Sequence, residues 1–524
     1  MVKMSESPKK QRKTAFRELG IKQHVENLEE QTRQLYLSDE IPWVIGYSGG
    51  KDSTATLQLI WSALSKLSPK DHIKPVHVIS TDTLVENPVV ALWVEKSLSK
   101  MRAASGEQSM PIKPHRLTPE VKDRFWVNLI GRGYPAPRPK FRWCTERLKI
   151  SPSNKFISET VQQNGEAILV LGTRKSESAA RASNMKQYES KSTRDLLSSN
   201  KELDRVWVYT PIAEWQNDDV WQYLTQFENP WGFPNEDLFG MYQGATEDGE
   251  CPLVVDTSTP SCGDSRFGCH VCTMVNEDKS LSAMIQNDVE KEWMLPLLEF
   301  RSNWININDA DPEKKKQKID EERKHRDFRR MNGSLTVFNG RLVHGPYKAY
   351  YRENMLRAVL EAQMAVREIG PDSVKDLEVI SLEELEEIRR IWVVEKHEIE
   401  DRLPVVYEEA TGQKYPARRN MSDLGLSQED LTLLKEICQE VDDSEIHYEV
   451  VRALLHIEHQ NRTMVKRNKG FFKNLEKVLE SGVFSNEADA QDYAVSKQSK
   501  KDDIIASASD EFSQSDYIQL KEIS

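Results

Sequence analysis

Six residues constrain this chain more than any others: Ser48-Gly-Gly-Lys-Asp-Ser53, set between an apolar run ending at Tyr47 and a helix-length segment beginning near Thr54. Glycines at 49 and 50 let the backbone come close to phosphate oxygens. A helix starting there points unsatisfied N–H groups and the positive end of its dipole at an anion. Ser48 and Ser53 add hydroxyl donors, and Lys51 adds a cation. The spacing is not that of a Walker A loop, which needs G-x-x-x-x-G-K-[ST]. Such a loop demands a strand before it and a helix after it, and the whole fold must accommodate that junction.

The surrounding pattern meets the demand. Trp43–Tyr47, Val76–Ile79, Ala167–Leu171 and Val206–Tyr209 read as buried strands, with helix-length stretches such as Thr54–Lys66 and Val89–Lys100 between them. Strands alternating with helices predict an α/β fold with a doubly wound, mostly parallel sheet. Ligands of such sheets sit beyond the carboxyl ends of the strands. That places the polar stretch from Ser80 to Pro88 beside the nucleotide, with Asp82 as the leading candidate to contact it or its magnesium ion. Gly172 and Arg174 follow the strand ending at Leu171, and Glu177 and Arg181 come just after. Arg174, Arg181, Arg147 and Lys149 offer charge-assisted hydrogen bonds to phosphate or sulfate oxygens; the competing reading is solvated surface charge.

The six cysteines are Cys144, Cys251, Cys262, Cys269, Cys272 and Cys438. Clustered cysteines in a large chain of cytosolic type point to metal or redox chemistry rather than to a disulfide framework. Cys262, Cys269 and Cys272 form a block with glycines at 263 and 268 that let the chain turn tightly. Thiolates at this spacing suit zinc or an iron–sulfur cluster. A zinc ribbon would want two C-x-x-C pairs where the chain has one, which favours iron–sulfur. His270 sits inside the pair and reads as a non-ligand. Cys251 is near in sequence and Cys144 distant, and both stand open as the fourth ligand. Cys144 also reads as a sulfur-carrying nucleophile, because a neighbouring Arg favours its thiolate. Cys438 lies in an apolar helical pattern and reads as core.

A chain of 524 residues is too long for one core. Residues 1–40 read as a basic arm and a polar helix (His24–Leu37), and 41–225 as the nucleotide domain. Residues 226–345 read as the Cys-rich segment and basic helices, with little periodicity over 226–275. Residues 346–485 read as a helical domain, and 486–524 as a polar tail too poor in large apolar side chains to offset its ordering entropy. Within that tail, Tyr517–Leu520 offers a docking element for a partner. Ser381-Leu-Glu-Glu384 has a capping-box pattern, followed by Leu385, Ile388 and Ile391 at helical spacing with Leu382. Ser427 to Asp430 is a weaker start signal of the same kind. Lys314 to Lys316, Arg329, Arg330, Arg341, His344 and Lys348 read either as phosphate contacts or as solvated helices with internal ion pairs. The charge balance of −12 argues against a whole surface that grips nucleic acid and assigns such contact to local patches or partner subunits. With no apolar run of the ~18 residues a membrane span needs, and a polar, basic stretch from Met1 to Lys13 in place of a signal peptide, a cytoplasmic protein without membrane contact is expected.

The loop resembles the S-G-G-x-D-S signature of the PP-loop ATP pyrophosphatases, adenine nucleotide alpha hydrolase-like enzymes that cleave ATP between the α and β phosphates. Gly172-Thr-Arg174-Lys-Ser-Glu177-Ser178 and Cys144-Thr-Glu-Arg-Leu-Lys149 resemble the G-x-R-x-x-E-S and C-x-x-x-[LR]-K patterns of the PAPS reductase branch. Pro211 to Trp215, followed by Asp219-Val-Trp221, is similar to that branch's last segment. Iron–sulfur members of that branch draw cluster thiolates from the segment that holds Cys144, which inclines the fourth-ligand choice toward it. Taken together with Ser261 to Thr273, Asp278-Lys-Ser280, Gly345-Pro-Tyr347 and Tyr351-Arg-Glu353, the chain resembles the DNA phosphorothioation sulfurtransferases of the bacterial Dnd system, the DndC family.

That resemblance implies a sulfurtransferase that uses ATP with Mg2+ to adenylylate a DNA backbone phosphate, so that sulfur replaces a non-bridging oxygen. It implies Lys51, Asp52, Arg174 and Arg181 as catalytic residues. Ser48, Gly49, Gly50, Lys51, Asp52, Ser53, Asp82, Gly172 and Arg174 would hold the nucleotide. Cys144, Cys262, Cys269 and Cys272 would hold a [4Fe-4S] cluster. A cysteine desulfurase would supply sulfur, and other Dnd-system proteins much of the DNA handling. A PAPS or APS reductase and a tRNA thiolation enzyme are the alternatives, since they share these motifs.

Overall fold

The apolar runs become strands where two faces must be buried at once. The computed structural model describes residues 14–139, 141–179, 182–183, 185–186, 195–246, 267–416, 426–440, 445–462, 469–484 and 486–500. It divides into two units. The first comprises residues 1–125, 137–302 and 366–375, and the second 126–136, 303–365 and 376–524.

The first unit is built on β1 (Trp43–Gly46), β2 (Val76–Thr81), β3 (Ile112–Leu117), β4 (Ala167–Val170), β5 (Ser198–Ser199) and β6 (Val206–Tyr209), in the order β3-β2-β1-β4-β6-β5. All pairings are parallel except the short β5 against β6. Trp43 stands opposite Val76 on one side and Ile168 on the other. The helices are α1 (Gly20–Leu37), α2 (Lys51–Ser65), α3 (Pro88–Glu107), α4 (Ser151–Asn164), α5 (Asn217–Gln226), α6 (Asn235–Gly244), α7 (Lys279–Asn287) and α8 (Leu295–Phe300). Trp43, Ile45, Val76, Val78, Ile168 and Val170 pack with Leu57, Ile60 and Trp61 of α2 and Leu98 and Met101 of α3. Val44, Leu169 and Val206 face the other way, onto Ile157 of α4. Burial on both faces explains why the strands read as continuous apolar runs rather than alternating ones. Each large side chain taken fully from water contributes about 1.5–3 kcal/mol. The sheet is therefore doubly wound, with its strand ends free to carry a ligand.

Three stretches depart from the sequence reading; one is 487–500, read as polar tail yet helical, with Ala490 packed beside Leu342. β3 is a sheet edge that holds Pro114 and buries Ile112 while Lys113 and Arg116 face solvent. Pro is tolerated at an edge because no further strand needs its N–H, and the mixed composition hides the strand. The stretch over 226–275 also contains α6. Its inward side is carried by Leu238 and Tyr242, one pair at i and i+4, too little to register as periodicity.

The second unit consists mainly of helices: α9 (Pro312–Lys324), α10 (Ala349–Ile369), α11 (Leu382–Arg390), α12 (Leu403–Thr411), α13 (Gln428–Gln439), α14 (Ile446–Asn461) and α15 (Lys469–Ser481). A short antiparallel pair, β7 (Val337–Phe338) and β8 (Arg341–Leu342), interrupts them. Leu385, Ile388 and Ile391 are buried, whereas Leu382 is exposed. The segment 126–136 is tied into this unit: the Trp126 indole donates to the Val379 carbonyl (2.7 Å), and the Trp392 indole donates to that of Ile130 (3.0 Å). Cys438 is buried. No helix among the described residues is long and apolar enough to cross a membrane.

Candidate functional site

The turn between β1 and α2 is shaped by its glycines. Gly49 has φ +74°, a left-handed conformation that costs an L side chain, and a Cβ there would lie 2.5 Å from Val94. The Gly49 carbonyl accepts from the Trp93 indole at 3.1 Å. Ser53 Oγ donates to the Gly50 carbonyl (3.0 Å) and accepts from the Ser48 N–H (3.2 Å), which folds the loop over the first turn of α2. The leading N–H groups of a helix have no partner within it, and here they open toward a cleft.

Arg174 crosses from the end of β4 to this turn. Its Nε donates to Asp52 Oδ1 at 2.6 Å, and the Arg174 side chain is 5% exposed. Asp52 also pairs with Lys51 at 3.3 Å. Glu177 accepts from the Arg174 backbone N–H at 2.9 Å and Ser176 Oγ from its guanidinium at 3.0 Å, so the arginine is held in place. Gly172 permits the close approach. A Cβ there would fall 2.7 Å from the Asp52 carbonyl oxygen and 2.8 Å from Thr56 Oγ1. Its place in the site is steric.

The loop forms one wall of a cleft of about 730 Å³. Tyr242 and Phe267 line it as an aromatic pair, 4.7 Å between centroids and edge to face. The Tyr242 hydroxyl accepts from the Lys51 N–H at 3.4 Å, and burial pushes its pKa well up. Asn217, in the first turn of α5, also lines the cleft, and its buried Nδ2 has no acceptor among the described residues. A glycine cradle that side chains would fill and an orphaned amide donor fit a nucleotide with its phosphates on the loop.

The same cleft reaches Glu86, Lys149 and Gly268. These lie beside the cysteines. Cys269 bridges to Glu86, the His270 N–H donates to the Val85 carbonyl (3.0 Å), and the Asn87 N–H donates to that of Gly268 (3.2 Å). The chain from Gly268 is thereby laced onto the segment after β2. Arg301, 1% exposed, donates to the Cys272 carbonyl at 2.7 Å and to that of Val275 at 2.9 Å. Burial pushes the Cys269 thiol up to about 11, with Lys149 pulling it down and Glu86 pushing it further. Burial also raises the Cys144 thiol, and Cys272 adds to that rise. Burial works against the Lys149 charge, yet Cys269 and Glu86 outweigh it and its pKa is raised. Burial holds His270 neutral, down to about 4. Cys269 and Cys272 are thus electrostatic neighbours of Lys149, and Cys144 is a neighbour of Cys272. Among the described residues no three His, Cys, Asp or Glu side chains converge as a metal site. The described thiols therefore do not by themselves make a donor set, although Lys149 beside Cys269 and Cys272 would offset thiolate charge.

The predicted residues distribute as follows. Ser48, Gly49, Gly50, Lys51, Asp52 and Arg174 line the cleft. Ser53 and Gly172 sit behind its wall. Asp82 accepts from Arg116 (Nε at 3.0 Å) and caps the Leu84 N–H at 2.7 Å, and Glu86 is the carboxylate of that segment in the cleft lining. Arg147 pairs with Asp123, and Lys149 with Glu86 at 3.6 Å. Arg181, Cys251, Cys262 and the Tyr517–Leu520 element lie outside the described residues. Sequence reasoning did not single out Glu86, Asn217, Tyr242 or Arg301. A polar or aromatic side chain on an ordinary helix or turn carries no signal of its own until the fold closes around it.

Residues 42–231 match the family model of the phosphoadenosine phosphosulfate reductase domain. That stretch contains every strand of the six-stranded sheet and the glycine loop. An uncharacterized protein of Methanocaldococcus jannaschii is 30% identical over 190 residues, 36% of this chain and 32% of its own length, so the chain spans about a third of that relative. Among solved structures, an FMN adenylyltransferase of Candida glabrata in complex with FAD and inorganic pyrophosphate aligns at 12% identity and a TM-score of 0.25, covering 45% of this chain and 66% of its own. The U34-tRNA thiolase NcsA of Methanococcus maripaludis with its [4Fe-4S] cluster aligns at 13% identity and a TM-score of 0.26, covering 51% and 80%. Scores this low carry no structural argument.

Proposed function

We propose that this chain is an ATP-dependent sulfurtransferase of DNA phosphorothioate modification. One observation carries the reading: the glycine loop and the Cys269 segment meet in a single cleft, through Lys149, Glu86 and Gly268. In this reading the loop N–H groups, Lys51 and Arg174 hold the triphosphate. A DNA phosphate oxygen attacks the α-phosphorus of ATP, the bond to the β-phosphate oxygen breaks, and pyrophosphate leaves. A sulfur nucleophile then attacks the adenylylated phosphate and AMP departs with the original oxygen. Preorganised cations at the phosphates stabilise charge where it develops. Cys262, Cys269 and Cys272, with Cys144 or Cys251 as the fourth ligand, would hold an iron–sulfur cluster, which when bound supplies a site for handling sulfur or electrons. A cysteine desulfurase as sulfur donor and further Dnd-system proteins as DNA handlers belong to the same proposal, as does a cytoplasmic location.

The test is ATP–pyrophosphate exchange together with the phosphorothioate content of DNA from cells carrying Lys51→Ala or Cys269→Ser. The exchange should fall by roughly a hundredfold or more in the first variant, as when a main charge stabiliser is lost. DNA sulfur should vanish in both. Normal DNA sulfur in both variants would remove the proposal. The PAPS reductase domain match supports a second reading, sulfonucleotide reduction. Sulfite release from a sulfonucleotide with a thiol donor, without pyrophosphate exchange, would establish that reading instead.

A further inference from the structure

The second unit holds a cavity of about 570 Å³ whose lining includes eight Lys or Arg side chains against four Asp or Glu. Some of these cations are already neutralised. Arg329 pairs with Asp327 and Glu449, Arg352 with Glu398, Arg452 with Glu400, and Arg132 with Glu395. Among the described residues, Arg330, Lys348, Lys396 and Lys477 have no carboxylate within ion-pair distance. Arg352 is 2% exposed and Arg452 9%. Even so, Arg352 Nη1 and Arg452 Nε have no acceptor among the described residues.

Burying a charged N–H without an acceptor costs about 1–3 kcal/mol or more, and the two arginines that carry these groups line one polar cavity. Burial pushes the Lys396 ammonium down to about 8, and Arg352 adds to the effect. Uncompensated positive charge (half-buried on Arg330 and Lys396, exposed on Lys348 and Lys477), two buried arginines each with an unmet N–H, and a cavity lined by all of them describe a receptor for an oxyanion.

We propose that this cavity is a second anion site, one that takes a phosphate group from a free polyphosphate or from a nucleic-acid backbone. It is independent of the nucleotide cleft of the first unit and of the activity assigned there.

The test uses the full chain, labelled with an amine-acetylating reagent at about pH 8, where Lys396 is half deprotonated, and read lysine by lysine by mass spectrometry. Inorganic pyrophosphate and a short DNA duplex serve as separate probes. Bound phosphate should slow Lys396 labelling about tenfold, the scale of a charge-assisted contact, while exposed Lys70 keeps its rate. Protection by pyrophosphate assigns the site to free polyphosphate, and protection by the duplex alone assigns it to the backbone. Lys51→Ala should leave the protection intact. Arg330→Gln should raise the half-protecting probe concentration about tenfold. Unchanged Lys396 labelling with both probes, or protection abolished by Lys51→Ala, would overturn the proposal.

Discussion

The two cavities gather positive charge by different means. In the first unit the work falls to backbone: a left-handed Gly49, the open N–H groups of α2, and an arginine already matched to Asp52. In the second unit it falls to side chains carried by α10, α14, α15 and the segments around Arg330 and Lys396, several without counter-charge. A backbone site has no alternative rotamers and little tolerance of added volume. A side-chain site is weakened but not abolished by loss of any one member, and carries its cost as partly desolvated charge. Mutations should separate the two on that ground.

The largest expected effect lies in the backbone site. Gly172→Val would drive its Cβ within 2.7 Å of the Asp52 carbonyl oxygen, an atom of the helix backbone that cannot turn aside. Overpacking of this kind costs about 3 kcal/mol, and the shift of α2 should remove ATP–pyrophosphate exchange as well. Gly240→Ala, in α6 with nothing within 4 Å, is the control. It should be neutral or stabilise by up to about 1 kcal/mol, because Ala is the better helix former. Equal melting temperatures for the two variants would break the contrast.

This division also explains what the sequence made legible. A backbone site is written in consecutive residues, so Ser48 to Ser53 could be read directly, as could the strands whose two buried faces leave unbroken apolar runs at Trp43, Val76, Ala167 and Val206. Edge strand β3 escaped because Pro114, His115 and Arg116 answer to solvent on one side. Glu86, Asn217 and Tyr242 enter the cleft from three separate elements, and only the closure of the sheet brings them together. The second cavity is drawn from segments as far apart as Arg132 and Ser481. Its cations looked like those of any solvated helix, because pairing is a property of the fold and not of spacing.

A smaller effect of opposite sign is expected in the side-chain site. Lys396→Met removes a half-buried, partly desolvated cation without a close counter-charge and keeps most of the volume, so it should stabilise the protein by about 1 kcal/mol near neutral pH. The pH dependence identifies the cause. The Lys396 pKa is depressed to about 8 from the ordinary 10.5. Below pH 8 the group is charged in both folded and unfolded chains, and the penalty is complete. Between the two values the unfolded chain binds the proton that the folded chain has released, so parental stability rises with pH. The gain of Lys396→Met should therefore be greatest below pH 8 and fade by pH 10.5. A gain constant across that window would mean packing, not charge, and would remove the distinction drawn for this site.

The smallest expected difference compares two helix starts in the second unit that share one motif. Ser381 caps α11 and Ser427 caps α13, each accepting from the backbone N–H three residues on while the carboxylate there accepts from the cap N–H. The sequence pattern is nearly the same, but the surroundings are not. Glu384 is 3% exposed, so Ser381→Ala leaves a buried carboxylate short of its hydroxyl donor at 3.0 Å. Ser427 and Asp430 lie at the surface, where water replaces what is lost. Ser381→Ala should cost about 1.5 kcal/mol and Ser427→Ala about 0.5 kcal/mol, both within the range for cap removal. Chemical denaturation of both variants measures the gap. Equal losses would mean that the cap hydrogen bond alone sets the cost, and that burial of its partner adds nothing.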